Sequence, residues 1–568
     1  MRNIRKQLSS FVSVLVILVI VIFAIRRLLP RHPFSAGISV TSTPISKSRE
    51  SAIEKISTSV LAESFTPLEQ THDTTNLMSI TTVIESQTNT GEREPKFSKK
   101  IDTIPDEYIF SFYDSIDQAK FIELSKEKKC TVLGSMDFKH SVRIKATSDK
   151  INELLKESPL PTDSEHNLIV HLPCPPKDSV RKPAGIYQEF GNITPEMLGI
   201  SEIRPEWGKG VTLAILDSGI SQHPVFDSER ITHIDLIGQS STSEGEYVGH
   251  ATAVASLIAG NGKPISGIAP GVSILDIKVL DSDGQGDVFT LARGIVEAVD
   301  RGASIINMCL GTRSESYLLK SAVEYAIAKG VVLVASAGND GTDEVRYPAR
   351  YKGVIAVGGV DANGRHMFFS NRGPEISIAG PAWGVISAWS GKSLLARFSG
   401  TSASAPFVSG AIAVLLSIHP DIKPEEAVKI LLETASDTEQ PGIDIETGRG
   451  IINMRRALLY DKRGIYDAGI SSITPVNITE NDATLRVCVQ NRGTEEIRSV
   501  KITVKSGDME NYGFIFNLVP SQTGCCEVKI NLPAMVSKQK FTIICFAEPE
   551  GIRDSFMSDN LREIHLFP

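Results

Sequence analysis

Between residues 211 and 435, short apolar runs alternate with segments in which apolar residues recur every three or four positions. The apolar runs predict strands that are buried on both faces of a sheet, at 211–216, 273–280, 304–308, 331–335 and 354–360. The helical spacing predicts helices at 250–259, 288–300, 314–329, 402–418 and 423–435. Together they predict an α/β fold, in which right-handed crossovers join a parallel sheet with helices on both faces.

The preceding region has a different pattern. It predicts strands at 108–113, 131–136, 142–146 and 168–171, with helices at 115–128 and 148–157. This βαββαβ order is typical of a small ferredoxin-like α+β domain, predicted here at 104–172. Residues 33–96 are instead rich in Ser, Thr and Pro. Because such a segment buries too little apolar surface to offset chain entropy, we predict a disordered stalk.

After residue 462, apolar and polar residues alternate in short runs, as in Leu485, Val487 and Val489. A period of two without helices predicts a β-sandwich at 464–568. Several of the seven cysteines lie in this region, namely Cys488, Cys525, Cys526 and Cys545. We favour buried or free thiols for them, although the sequence leaves a disulfide open.

Residues 8–25 carry no charge, and a helix of this length just crosses a ~30 Å hydrocarbon core. No small-residue cleavage site follows, so we favour a retained transmembrane anchor over a secretory signal peptide. Basic residues on both sides leave the orientation open. The whole chain of 568 residues has room for several domains. Its net charge of −8, without a basic patch, gives no indication of nucleic-acid binding.

Four residues at the ends of predicted elements suggest a common chemistry. Asp217 ends a strand, while His250 and Ser402 each begin a helix. A histidine with a pKa of about 6.5 can accept a serine proton, and a buried carboxylate can hold its imidazole in the required tautomer. Asn339, in a Gly-Asn-Asp-Gly turn, can donate to an oxyanion together with the backbone N–H of Ser402. The set predicts acyl transfer through a serine nucleophile.

The chain order Asp…His…Ser and the run Gly-Thr-Ser-Ala-Ser-Ala-Pro at 400–406 resemble the subtilisin-like serine proteases, the subtilases. The resemblance covers roughly residues 195–460 and implies a peptidase domain at 190–460 with a subtilisin-like fold. It also implies an endopeptidase that forms an acyl-enzyme on protein or peptide substrates. The positions that match the family's substrate-binding segments are Gly284, Gly286, Cys309, Leu310, Gly311, Ser336, Ala337 and Gly338.

The flanking domains extend the resemblance. The 104–172 domain resembles the inhibitory propeptide that precedes subtilase domains, and the C-terminal domain resembles the immunoglobulin-like CARDB modules through 489–493 and 559–560. A jelly-roll-like accessory domain is the alternative for the latter. We therefore expect a membrane-anchored zymogen that cuts itself between residues 172 and 192. That cut would release a catalytic domain that lies outside the cytoplasm.

The sequence departs from the family at Ala251, Ala253 and Ala403, where Gly, His and a bulkier residue are usual. Many subtilases bind calcium near the loop that corresponds to 260–266. Here the loop is short, contains Lys263 and offers no carboxylate, so no metal site and no other cofactor is predicted.

Two other functions are alternatives to an active endopeptidase. The first is an inactive subtilase-like protein that binds or adheres through its C-terminal domain, and the complete set of Asp217, His250, Ser402 and Asn339 argues against it. The second is an esterase. It would need a Gly-x-Ser-x-Gly elbow, whereas Ser404 occupies the last position of that motif.

Overall fold

The computed structural model describes residues 39–41, 102–173, 187–191, 194–238, 245, 247–262, 265, 267–390, 394–479, 482–532 and 541–566. The predicted anchor at 8–25 and most of the predicted stalk at 33–96 lie outside the described residues, as do residues 174–186.

The N-terminal unit, residues 102–173, forms an antiparallel sheet covered by two helices. After the short strand β1 (Ser39–Thr41), its elements are β2 (Thr103–Ser111), α1 (Ser115–Glu127), β3 (Thr131–Met136), β4 (Ser141–Lys145), α2 (Ser148–Glu157) and β5 (Asp163–His171). The strand order is β3-β4-β2-β5. Phe121 of α1 and Leu154 of α2 share one core with Phe110 and Ile144 of the sheet, so both helices pack on the same face.

The catalytic unit, which we define as the described residues between 187 and 460, is larger. Its strands are β6 (Thr212–Asp217), β7 (Ile231–Asp235), β8 (Ser273–Lys278), β9 (Gln285–Asp287), β10 (Ile305–Met308), β11 (Val332–Ser336), β12 (Val354–Val360), β13 (Ile376–Pro381), β14 (Val385–Ala388) and β15 (Leu395–Phe398). Its helices are α3 (Thr194–Met197), α4 (His250–Ala259), α5 (Val288–Asp300), α6 (Tyr317–Ala328), α7 (Thr401–Ile418), α8 (Pro424–Glu433) and α9 (Met454–Leu458).

The main sheet has the order β13-β12-β11-β10-β6-β8-β7, and every pair in it is parallel. Helices α4, α7 and α8 pack on one face, and α5 and α6 on the other. This confirms the predicted α/β fold. Strand β7 was not predicted from the sequence. It lies at the edge of the sheet and is partly exposed, so its residues do not form a continuous apolar run. Within the described residues, only α7 has the length and hydropathy of a membrane span, and it is largely buried in this core.

The C-terminal unit, residues 465–566, consists of two sheets. Its strands are β16 (Ala468–Ile478), β17 (Asp482–Asn491), β18 (Ile497–Ser506), β19 (Met509–Leu518), β20 (Thr523–Asn531), β21 (Phe541–Pro549) and β22 (Leu561–Leu566). One sheet has the order β16-β17-β20 and the other β1-β22-β21-β18-β19. Residues from both sheets, such as Val487 and Ile502, enclose a single apolar core.

Two expectations about these regions need correction. Cys488 and Cys525 form a disulfide, contrary to the thiols that we favoured. They are direct partners on the antiparallel strands β17 and β20, a register that the sequence did not reveal. Within the segment predicted as a disordered stalk, residues 39–41 form β1, which pairs with β22. The pairing is possible because β22 would otherwise be an edge strand with unpaired backbone groups.

One buried arginine joins the C-terminal unit to the catalytic unit. Arg456 of α9 donates to the carbonyl oxygens of Thr434, at 2.9 Å, and Ala435, at 2.5 Å. It also donates to the carbonyl of Arg492, at 3.1 Å, and to the hydroxyl of Ser521, at 3.0 Å. Burial lowers the pKa of Arg456 to about 9, so the side chain remains charged at neutral pH. The guanidinium therefore bridges two carbonyls of the catalytic unit and two oxygens of the C-terminal unit.

Candidate active site

The parallel sheet brings Asp217 and His250 together at its carboxyl edge. Asp217 is the last residue of β6 and His250 the first of α4. His250 Nδ1 lies 3.0 Å from Asp217 Oδ1 and 2.9 Å from Oδ2. Both side chains are buried, and Ser218 donates to Oδ1 through its backbone N at 2.7 Å and its hydroxyl at 3.1 Å. A carboxylate held in this way can fix the tautomer and orientation of the imidazole.

Ser402 lies in the first turn of α7, and its hydroxyl is buried. Among the described residues, Ser402 Oγ has no hydrogen-bond partner, so no bond joins it to His250. Catalytic hydrogen bonds are often long without substrate and shorten when it binds. Cys309, which follows β10, contacts Ser402, with 3.5 Å between Cys309 Sγ and the Ser402 carbonyl oxygen.

Asn339 is oriented by the residue that precedes Ser402. Its Oδ1 accepts from the backbone N of Thr401 at 2.9 Å and from the Thr401 hydroxyl at 2.8 Å. With Oδ1 engaged, Nδ2 points toward Gly400, where an added Cβ would lie only 2.7 Å from it. Gly400 also has a φ of 122°, in the region that favours glycine. The amide N–H groups of Asn339 are thus held beside the start of α7.

The predicted substrate-binding segments enclose a strand from the chain's own N-terminal unit. His171 exchanges two backbone hydrogen bonds with Gly311, at 3.0 and 2.8 Å. Leu172 N donates to the Gly284 carbonyl at 2.9 Å, and Val170 pairs with Gly286 across β5 and β9. The end of β5 therefore lies as an added antiparallel strand in the predicted cleft. Cys309 and Leu310, in the same cleft segment as Gly311, are buried.

Side chains of β5 also cap two helices of the catalytic unit. Glu165 accepts from the backbone N of Tyr317 at 2.9 Å and of Leu318 at 3.0 Å, at the start of α6. Asn167 Oδ1 accepts from the backbone N of Phe289, in the first turn of α5, at 3.4 Å. Burial raises the pKa of Glu165, although its hydrogen bonds partly oppose this. These contacts satisfy amides that would otherwise be unpaired at helix starts.

A cavity of about 570 Å³ lies beside the end of this strand. Pro173 lines it, as do Ser336 and Gly338, two of the three predicted pocket-wall residues. The third, Ala337, has its side chain buried in the core. Charged side chains that the sequence did not indicate also line the cavity. Asp340 and Arg346 lie in the loop beyond β11, and Arg313 lies between β10 and α6. Asp102 and Asp283 complete the charged lining.

The charged groups of this cavity are linked. Arg346 donates through Nε to Asp340 Oδ2 at 2.7 Å, and its Nη2 lies 2.5 Å from the same oxygen. Arg313 Nη2 lies 3.5 Å from Asp340 Oδ1. Burial alone would raise the pKa of Asp340, but the contacts with Arg346 outweigh it and hold that pKa below the usual value. Among the described residues, no group of three or more His, Cys, Asp or Glu side chains could hold a metal ion.

Comparison with known proteins agrees with this geometry. The subtilase family (Peptidase_S8) matches residues 208–450. A thermostable alkaline protease from Halalkalibacterium halodurans is 38% identical over 253 residues, which cover 44% of this chain and 68% of that protein. Subtilisin DY from Bacillus licheniformis is 36% identical over 263 residues, covering 44% of this chain and 91% of that protein.

The crystal structure of fervidolysin from Fervidobacterium pennivorans, a keratinolytic enzyme related to subtilisin, covers 80% of this chain and 90% of that one. The TM-score is 0.54 and the sequence identity 21%, so this likeness concerns the fold alone.

Fold, site and relatives together define a serine hydrolase built on a parallel α/β sheet. The chain belongs to the subtilase family. It is therefore a serine endopeptidase, and proteins or peptides are its substrates.

Proposed function

We propose that this endopeptidase is made as a zymogen, with Asp217, His250 and Ser402 as its catalytic triad and Asn339 as an oxyanion donor. The observation that carries the proposal is the end of β5 lying between Gly284 and Gly311, at the sheet edge where Asp217 contacts His250. An extended chain in that position is bound as a substrate would be.

In the proposed reaction, Ser402 Oγ attacks the carbonyl carbon of the scissile bond while His250 Nε2 accepts the hydroxyl proton. Asp217 stabilises the imidazolium that forms. The oxyanion accepts hydrogen bonds from Asn339 Nδ2 and from the backbone N of Ser402, near the positive end of the α7 dipole. His250 then gives its proton to the leaving amine. Water hydrolyses the acyl-enzyme by the same steps in reverse, and this chemistry requires no metal or other cofactor.

The register supports a position for self-cleavage. Because His171 pairs with Gly311 in an antiparallel ladder, residue 173 lies opposite Cys309, the residue that contacts Ser402. We therefore propose that the protein cuts itself after Pro173, within the 172–192 interval expected from the sequence. Residues 104–172 would then remain bound as an inhibitory propeptide until they are displaced or degraded.

The outer parts of the chain complete the proposal. Residues 8–25 would anchor the zymogen in a membrane, with residues 33–96 as a tether and the catalytic unit outside the cytoplasm. Residues 464–568 would form an immunoglobulin-like accessory sandwich, a proposal supported by the two sheets that share one core. Cleavage after Pro173 would remove the covalent link to the anchor and leave the propeptide held only by noncovalent contacts.

Four measurements on wild type and triad variants test the proposal. A fluorophosphonate probe should label wild type but not Ser402→Ala, and the two triad variants Ser402→Ala and His250→Ala should lose activity to a similar extent without adding in the double variant. N-terminal sequencing should find a new start at residue 174 in wild type only. In membrane fractions, Ser402→Ala should stay anchored while wild type releases the fragment. Identical N-termini in both proteins would contradict self-processing.

A further inference from the structure

We infer that Arg346 makes this protease select an acidic residue, glutamate above all, immediately before the cleaved bond. The inference rests on the proposed function, because it concerns the pocket beside the proposed cut. Pro173, the last residue before that cut, lines the same cavity as Arg346, Asp340 and Arg313.

The stem of Arg346 closes the cavity between its two walls. A Cβ on Gly311 would lie 2.9 Å from Arg346 Cβ, and a Cβ on Gly338 would lie 2.8 Å from Arg346 Cγ. Backbone bonds fix this segment, since Arg346 N donates to the Ala337 carbonyl at 3.0 Å. Only glycine on each wall leaves room for the arginine stem. The stem therefore shortens the cavity beside Pro173, where a large aromatic side chain of a substrate would have to fit.

The local arrangement of charges, and not the formal charge of the whole cavity, favours an anion at Arg346. Asp102 and Asp283 also line the cavity, but Arg346 and Arg313 are the two cations that contact Asp340. Asp340 also accepts from Asn371 Nδ2 at 3.2 Å, so its oxygens are well supplied with donors. Nη1 of Arg346 donates to no acceptor among the described residues. Only 18% of the Arg346 side chain is exposed, so water screens its charge weakly.

A substrate glutamate would place its carboxylate against the guanidinium edge that Asp340 does not occupy. Charge-assisted hydrogen bonds of this kind are about twice as strong as neutral ones. Pro173 carries no charge and leaves the Arg346–Asp340 pair intact. The protein's own segment would thus be a poor substrate that is cut only because the fold holds it in place, which suits a long-lived inhibitor.

The test uses the enzyme after the full chain has processed itself and the N-terminal unit has been degraded. Its substrates are peptides of the form Val-His-Leu-X with a chromogenic amine after X. Glutamate and glutamine at X have the same shape and differ in charge. We expect kcat/KM for glutamate to exceed that for glutamine about tenfold or more, as a single charged hydrogen bond allows. Phenylalanine and lysine should be poorer than glutamate, and the glutamate preference should shrink at high salt.

Three variants assign the preference to a side chain. Arg346→Met keeps an apolar stem without charge and should bring the glutamate-to-glutamine ratio to one or below, while Arg346→Lys should retain part of it. Asp340→Asn removes the competing carboxylate and should raise the ratio, which keeps the test decisive if Arg346→Met folds poorly. Arg350→Met is the matched control, because Arg350 pairs with Glu375 outside the cavity and should leave the ratio unchanged.

Fluorophosphonate labelling of Ser402 distinguishes a failure of this inference from a failure of the proposed function. A labelled wild type that cleaves the glutamine peptide as well as the glutamate peptide overturns the inference and leaves the proposed function standing. A high ratio that survives in Arg346→Met overturns the assignment to Arg346. An enzyme that neither labels nor cleaves any peptide overturns the proposed function, and the inference with it.

Discussion

The N-terminal and C-terminal units are held to the same catalytic unit by different kinds of contact. The N-terminal unit inserts backbone into a cleft at His171 and Leu172 and caps a helix with Glu165. The C-terminal unit is joined through the buried guanidinium of Arg456 and through Gln490, whose Nε2 donates to the Ala435 carbonyl at 3.2 Å. Backbone pairing in a cleft can be reproduced by any extended peptide, although Arg143 also pairs with Asp287 across this joint at 2.9 Å. An extended peptide cannot reproduce a buried arginine that satisfies four oxygens. We therefore call the first joint replaceable and the second permanent.

The largest effect should come from breaking the permanent joint. Arg456→Met removes the donor from the partly buried carbonyl oxygens of Thr434 and Arg492 and leaves the Ala435 carbonyl with Gln490 alone. We expect this to cost about 3–5 kcal/mol of stability. Differential scanning calorimetry should then show the C-terminal unit melting separately from the catalytic unit. The exposed Arg463 supplies the control variant Arg463→Gln, which should melt like wild type. If both variants melt alike, the guanidinium does not hold the joint.

A slightly smaller effect is expected inside the C-terminal unit. The Cys488–Cys525 disulfide spans a separation of 37 residues, and a loop of that size restricts the unfolded chain by about 3–4 kcal/mol in the chain-entropy model. The double variant Cys488→Ala/Cys525→Ala should therefore unfold at lower denaturant concentration, as should the reduced wild type. Amide exchange in β5 should stay unchanged, because the disulfide joins two strands of the C-terminal unit and β5 lies in the cleft of the catalytic unit. Equal unfolding midpoints in oxidised and reduced protein would contradict the prediction.

The comparison also shows what the sequence could and could not predict. Asp217 and His250 lie at the ends of strongly patterned elements, so their meeting at one edge of a parallel sheet followed from the fold. The contacts of Glu165 and Arg346 did not follow, because they depend on how separate segments dock. Strand β9 is only three residues long and pairs with β5, and no period can be read from so short a segment.

At the replaceable joint, loss of one helix cap should have a moderate effect. In the Ser402→Ala background, Glu165→Gln removes a charge from the start of α6, where a carboxylate and its hydrogen bonds contribute about 1–2 kcal/mol. We expect the cleft amides, including that of Gly311, to exchange roughly tenfold faster by mass spectrometry. Glu123→Gln changes an exposed carboxylate of the same unit and should have no effect. Equal exchange in the two variants would show that the cap does not hold the propeptide.

The smallest effect concerns pH and one histidine. Burial lowers the pKa of His171, with Arg346 and Arg313 acting in the same direction and Asp102 opposing them. The docked strand thus binds a proton less readily than the free strand. His171 therefore favours docking above its ordinary pKa of about 6.5, and this contribution is lost as pH falls through the lower docked value. Glu165, whose pKa burial raises, acts in the opposite sense, so wild type shows the sum of both.

Replacing His171 separates these contributions at the cleft. The comparison is between Ser402→Ala and the double variant Ser402→Ala/His171→Asn. We measure amide exchange at Gly311 at pH 7.5 and 5.0 and correct the rates for the intrinsic pH dependence of exchange. The acceleration on going to pH 5.0 should be a few-fold larger in Ser402→Ala than in the double variant. His166→Asn, an exposed change on the same strand, should behave like the parent. If His171→Asn keeps the full acid response, protonation in the cleft does not weaken docking. If the acid-induced rise in exchange is lost only in His171→Asn, acid weakens the replaceable joint through this histidine. The permanent joint should not respond, because Arg456 keeps its charge throughout this pH range.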